Sequence, residues 1–100
     1  MKIGFILKEL RSLKGVSQRK IAEMLNVERS TYAKWETDEN TVNVNRLKDI
    51  ADVYGLHFHY LGICIEEQKI INKNDVAKWI KIAEAKARDR ENGTSASTKQ

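Results

Sequence analysis

The sequence predicts a mainly α protein: a five-helix domain over residues 1–62, then an extended segment and one longer helix within 63–91, and a disordered tail over 92–100. Three observations lead there. Proline is absent and there are five glycines, so helices meet few breakers. Apolar residues recur at i, i+3, i+4 and i+7 through most of the first sixty positions. Where those periods break, residues suited to capping or to left-handed turns appear.

Ile3, Ile6, Leu7, Leu10 and Leu13 mark one face of a first helix, and Gly15 can end it in a left-handed conformation. Ser17 can cap a second helix with Ile21, Ala22 and Leu25 inside. Asn26 suits the following turn, because asparagine tolerates positive φ. A third helix runs from Glu28 or Arg29 to Glu36, burying Tyr32 and Trp35, with the Glu28 charge near its positive end. After a polar stretch from Thr37 to Asn43, Leu47, Ile50, Ala51 and Tyr54 form a fourth apolar face, ended by Gly55. Leu56, Phe58 and Leu61 complete the core with a short fifth helix. Ile63–Ile71 mixes β-branched and polar residues and reads as extended. Val76, Trp79, Ile80 and Ala83 share a face of the last helix, and the small polar residues after it predict disorder.

Composition sets the functional classes. With 41% apolar and 32% charged residues the chain can bury a core and keep a solvated surface. The net charge is +4, yet up to Leu61 there are ten Lys and Arg against eight Asp and Glu, and eight against six beyond it. That balance favours an anionic partner only modestly. One cysteine, Cys64, cannot form an internal disulfide, and no apolar run is long enough to span a bilayer. No signal-peptide pattern opens the chain. The expectation is a soluble, cytoplasmic protein with no membrane partner.

Ser17 to Leu61 carries the functional signal. Two short helices joined by a tight turn, the second rich in exposed polar side chains, describe a helix-turn-helix. A helix of that kind fits the major groove, where side chains can read base edges. Tyr32 and Trp35 point inward as core residues, which leaves Arg29, Ser30, Thr31, Ala33 and Lys34 for a DNA face. Arg19 and Lys20 add solvated charge of little individual weight.

The run Ser17-Gln-x-x-Ile-Ala-x-x-Leu-Asn-Val27, followed by Ser30-Thr-Tyr-Ala-Lys-Trp-Glu36, resembles the phage repressor/Cro-type (Xre-like) helix-turn-helix family. Leu47-x-x-Ile-Ala51 and Leu56-x-x-x-Tyr-Leu61 match its fourth and fifth helices. The resemblance covers about sixty residues. It implies double-stranded DNA as partner and a DNA-binding set of Gln18, Arg29, Ser30, Thr31 and Lys34. Gln18 corresponds to a glutamine that binds backbone phosphate and buttresses the recognition helix. Arg29, Ser30 and Lys34 fall where relatives face bases, and Thr31 where a hydroxyl bonds phosphate or base. Arginine matches guanine O6 and N7, so Arg29 leads for base readout. Asn43, Asn45 and Arg46 lie where relatives pass the phosphate backbone. The chain departs from the family at Asp38, where glycine is frequent, at Val42, where proline is, and at Asn26-Val27, usually Gly-Val. Asp38 and Glu39 put negative charge near the expected DNA surface.

The combined reading is a sequence-specific transcriptional regulator: a homodimeric repressor that uses no cofactor and is not an enzyme. His57, His59 and Cys64 fall short of a metal site, since the two histidines flank Phe58 and no fourth ligand lies nearby. Cys64 has no base to make it a nucleophile. Residues Ile63 to Ala83 either fold back on the domain or form a dimer interface, and twofold operator reading favours the dimer. The alternative is an antitoxin-type interaction protein that binds a partner toxin through residues after Gly62 and autoregulates its operon.

Overall fold

The computed structural model describes residues 2–91, which form six helices; among them there is no strand. α1 spans Gly4–Lys14, α2 Gln18–Met24, α3 Arg29–Glu36, α4 Val44–Tyr54, α5 Phe58–Glu67 and α6 Lys73–Glu91. The disordered tail expected over 92–100 lies outside the described residues. No helix among the described residues is long and apolar enough to cross a membrane.

Local chemistry sets most boundaries where the sequence places them. Ser17 Oγ accepts the Lys20 amide at 3.1 Å, Asn43 Oδ1 that of Arg46 at 2.9 Å and Asn72 Oδ1 that of Asp75 at 3.1 Å, so three helices start on a side-chain cap. Gly15 and Asn26 take positive φ at the ends of α1 and α2. At Gly55 the requirement is double. Its φ is +73°, and a Cβ there would lie 2.7 Å from the Trp79 carbonyl oxygen of α6.

Two expectations need correction. Ile63–Ile71 is not an extended segment: α5 runs through Glu67 and ends at Gln68, φ +59°. Leu61, Cys64 and Ile65 fall at i, i+3 and i+4, and all three are buried. Burying each large aliphatic contributes about 1.5–3 kcal/mol, well above the few tenths by which a β-branched residue disfavours a helix. Phe58, expected in the core, is 40% exposed, with Lys48 Nζ 5.9 Å from its ring centroid.

One core contains buried residues from Ile3 through Ile80. The boundary expected after Gly62 falls inside α5, and Cys64, Ile65, Ile70, Val76 and Ile80 join the same core as α1 to α4. α6 therefore folds back on α1 and α4. Lys73–Glu9 at 3.0 Å and Lys14–Glu84 at 2.9 Å clip it to α1, and Trp79 packs edge-on against Tyr60 at 5.1 Å.

Within this core sits a charged group. Glu36 on α3 is 3% exposed. Its carboxylate accepts Arg11 Nε at 2.7 Å, Arg11 Nη2 at 3.2 Å and Gln18 Nε2 at 3.0 Å. The third Arg11 nitrogen, Nη1, donates to the Val16 carbonyl at 3.1 Å. Burial raises the Glu36 pKa, but the hydrogen bonds from Arg11 and Gln18, with the Arg11 charge, outweigh it and hold the carboxyl below its ordinary value. The Tyr32 and Tyr54 hydroxyls are buried nearby and have no hydrogen-bond partner among the described residues, and burial pushes both far above the usual phenol value.

Two outcomes follow. A chain of residues 1–62 loses five core side chains, a deficit comparable to the whole net stability of a domain, about 5–15 kcal/mol. Circular dichroism should find no cooperative thermal transition for it; a sharp melt would show that α6 is dispensable. The Glu36 pKa is lowered on folding, so its stabilisation is complete above the ordinary value near 4.5 and is lost as pH falls through the lower folded value. Glu36→Gln should cost about 1.5–3 kcal/mol at pH 7 and flatten the acid limb of stability against pH. An unchanged acid limb would remove Glu36 as its cause.

Candidate nucleic-acid interface

The turn between α2 and α3 is built from backbone bonds. Leu25 ends α2, Asn26 takes φ +59°, and the Val27 amide donates to the Ala22 carbonyl at 3.0 Å. α3 then starts at Arg29 behind Glu28, whose side chain makes no capping bond. Eight residues of helix measure about 12 Å. Tyr32, Trp35 and Glu36 face the core, with Tyr32 and Trp35 edge-to-face at 6.1 Å, so neither ring is offered to a base.

On the outer side of α3, Arg29, Ser30 and Lys34 are exposed, while Thr31 and Ala33 are half-buried. The five sequence-derived residues thus divide. Arg29, Ser30 and Lys34 share the solvent side, Thr31 sits at its edge, and Gln18 lies behind, half-buried, with its amide on Glu36. The buttressing contact of Gln18 with α3 is present as that hydrogen bond. The sequence pattern alone does not single out Arg11 and Glu36, whose bonds hold α3 in place. A signal for Glu36 existed: it stands four positions after Tyr32 and one after Trp35, on the buried stripe of α3, where a carboxylate requires a cation.

The loop after α3 answers the question of Asp38. This residue has φ +62°, and its Oδ1 accepts the Ile3 and Gly4 amides at 2.8 and 3.0 Å. The Ile3 amide is the main reason its carboxyl lies below the usual range; slight burial opposes this and the Gly4 amide adds to it. The negative charge is thus directed at the positive end of α1. Gly4 permits the approach, since a Cβ there would collide with the Glu36 carbonyl oxygen. Glu39 accepts the Thr37 hydroxyl at 2.7 Å.

Of the residues expected along the phosphate path, Asn43 and Asn45 are exposed at the start of α4, with Asn43 also its cap. Arg46 turns inward: its Nη1 donates to the Leu25 carbonyl at 3.0 Å and lies 3.5 Å from Asp49. It ties α4 to the end of α2. His57 and His59 stack on the surface at 5.6 Å, whereas Cys64 is fully buried as a small apolar residue.

The arrangement is a rigid platform with one polar helix face outward, suited to insertion in a groove about 12 Å wide. Comparison with known proteins agrees with that geometry. Residues 7–61 match the family model described as helix-turn-helix, which covers more than half of the chain. No curated protein and no solved structure matches it. The matched span takes in α2, the turn, α3, Gln18 and Glu36, and stops before α6. The chain belongs to the Xre/Cro-like helix-turn-helix family of DNA-binding transcriptional regulators.

Proposed function

We propose that this protein is a sequence-specific repressor, cytoplasmic and without enzymatic activity, that binds a partly palindromic operator as a homodimer. The observation that carries the reading is the α3 surface: Arg29, Ser30 and Lys34 are exposed on a helix whose opposite side is locked to α1 and α2 through Glu36. In this reading Arg29 reads guanine, Ser30 and Lys34 contact bases, and Thr31 and Gln18 contact phosphate at the edge. Phosphate contacts set register and base contacts specify sequence. Repression follows from occupying the promoter.

The dimer proposal rests on apolar side chains that folding leaves uncovered. Ile63 on α5 and Ile71 after it are 46% and 45% exposed, although their neighbours Cys64, Ile65 and Ile70 are buried. A twofold contact through them would give two α3 helices for two half-sites.

Selection from a random duplex pool at near-physiological salt tests this function. The expected result is an enriched, twofold-related motif that the protein binds far more tightly than a scrambled duplex in fluorescence anisotropy. Weak, salt-sensitive binding without enrichment would contradict it and favour the antitoxin-type alternative. On the enriched site, Arg29→Ala should cost about 1–3 kcal/mol and relax preference at one base position. Equal loss on site and scrambled DNA would make Arg29 a phosphate contact.

A further inference from the structure

Three helices end together against the second half of α6. The C-terminal ends of α1, α2 and α4 and the side of α6 enclose a groove of about 740 Å³. Met24, Val53, Trp79 and Ile82 supply its apolar surface, and Met24 and Ile82 remain 41% and 53% exposed despite their size. The charged residues on its wall are Lys14, Lys86 and Arg88 against Asp52 and Glu84, a balance of one positive charge. A concave space of this volume, part apolar and part charged, has the dimensions of a small-molecule site.

The polar groups in it identify the ligand's head. Lys14 lines the groove with a side chain only 4% exposed. Its ammonium carries three donors, and the one hydrogen bond it makes among the described residues goes to Glu84 at 2.9 Å. The remaining donors of an enclosed ammonium call for acceptors. Lys86 lines the same groove from α6, three residues after Ala83. An apolar body beside Trp79 and Ile82, with an anionic head between Lys14 and Lys86, satisfies both demands. We propose that this groove binds an amphipathic carboxylate the size of a medium-chain fatty acid.

The site also has a route to the DNA face, an extension that rests on the proposed function. Lys14 is the last residue of α1, and Val16, two residues on, accepts Arg11, the partner of Glu36. Ser17 follows as the cap of α2, and Met24 closes α2 in the groove. A ligand there touches Met24 at the end of the helix that carries Gln18, and Lys14 three residues before its cap.

Isothermal titration calorimetry of the full chain with decanoate, and with decyltrimethylammonium as the cationic control, tests the site without DNA. The expected result is saturable one-to-one binding of decanoate, with the cation weaker by at least about tenfold, the size of one close charge contact. Lys86→Glu should weaken decanoate by a similar factor with an unchanged circular dichroism spectrum. Decanoate should also shift the tryptophan emission of the wild type, and Trp79→Phe should abolish that response while calorimetric binding persists. Absent saturation, equal affinity for both amphiphiles, or full affinity in Lys86→Glu would overturn the proposal. So would self-association abolished by Ile82→Asp, which would assign the groove to a second copy. Binding of decanoate by a chain that selects no DNA motif would leave the site standing and remove only the regulatory extension.

Discussion

The orientation of α3 depends on one buried carboxylate. Glu36 belongs to a helix whose outer residues are polar and whose length, eight residues, is too short to be stable alone. It holds its place through packing of Tyr32 and Trp35 and through the bonds from Arg11 on α1 and Gln18 on α2. An ion pair of this kind is weak evidence for stability, since desolvation offsets much of the attraction. Its value here is geometric. A bidentate guanidinium contact fixes distance and angle together. Removing either partner leaves an uncompensated charge, so the three helices keep one relative arrangement. The same strip of chain supplies a second tie, in which Asp38 caps α1 from the loop after α3.

A single core extends this rigidity to the C-terminal segment. The family match ends at Leu61, yet Cys64, Ile65, Ile70, Val76 and Ile80 are packed with the residues before them. α6 packs on α1 and α4 and is held by Lys14–Glu84 and Lys73–Glu9. It acts first as part of the fold. Its later turns leave Trp79 half-buried and Ile82 exposed, which is more apolar surface than the core requires.

Much of the fold was legible because its signals are local. Gly15, Ser17, Asn26, Asn43 and Gly55 act within three or four residues of themselves, and each marks a boundary that the structure keeps. The exposed set on α3 was legible for the same reason, since periodicity alone separates Tyr32 and Trp35 from Ser30 and Lys34. What escaped was long-range. Arg11 and Glu36 are 25 residues apart, and Asp38 reaches Ile3 across 35. Asp38 read as a charge near DNA because nothing local shows where its carboxylate points. Ile63–Ile71 misled through composition: β-branched residues suggested a strand, while the spacing of Leu61, Cys64 and Ile65 already described a helix face. Gln18 and Lys34 remain the residues for which family resemblance adds most, because a half-buried amide and an exposed lysine carry no signature of DNA contact by themselves.

The most direct test of the account is where the protein touches DNA. Backbone amide resonances of the isotope-labelled full chain, followed by NMR during titration with a duplex carrying its selected motif, would map that face residue by residue. The account predicts the largest shift changes at Gln18, Arg29, Ser30, Thr31, Lys34 and the start of α4, with little change along α6. Changes concentrated on α6, with α3 undisturbed, would contradict it.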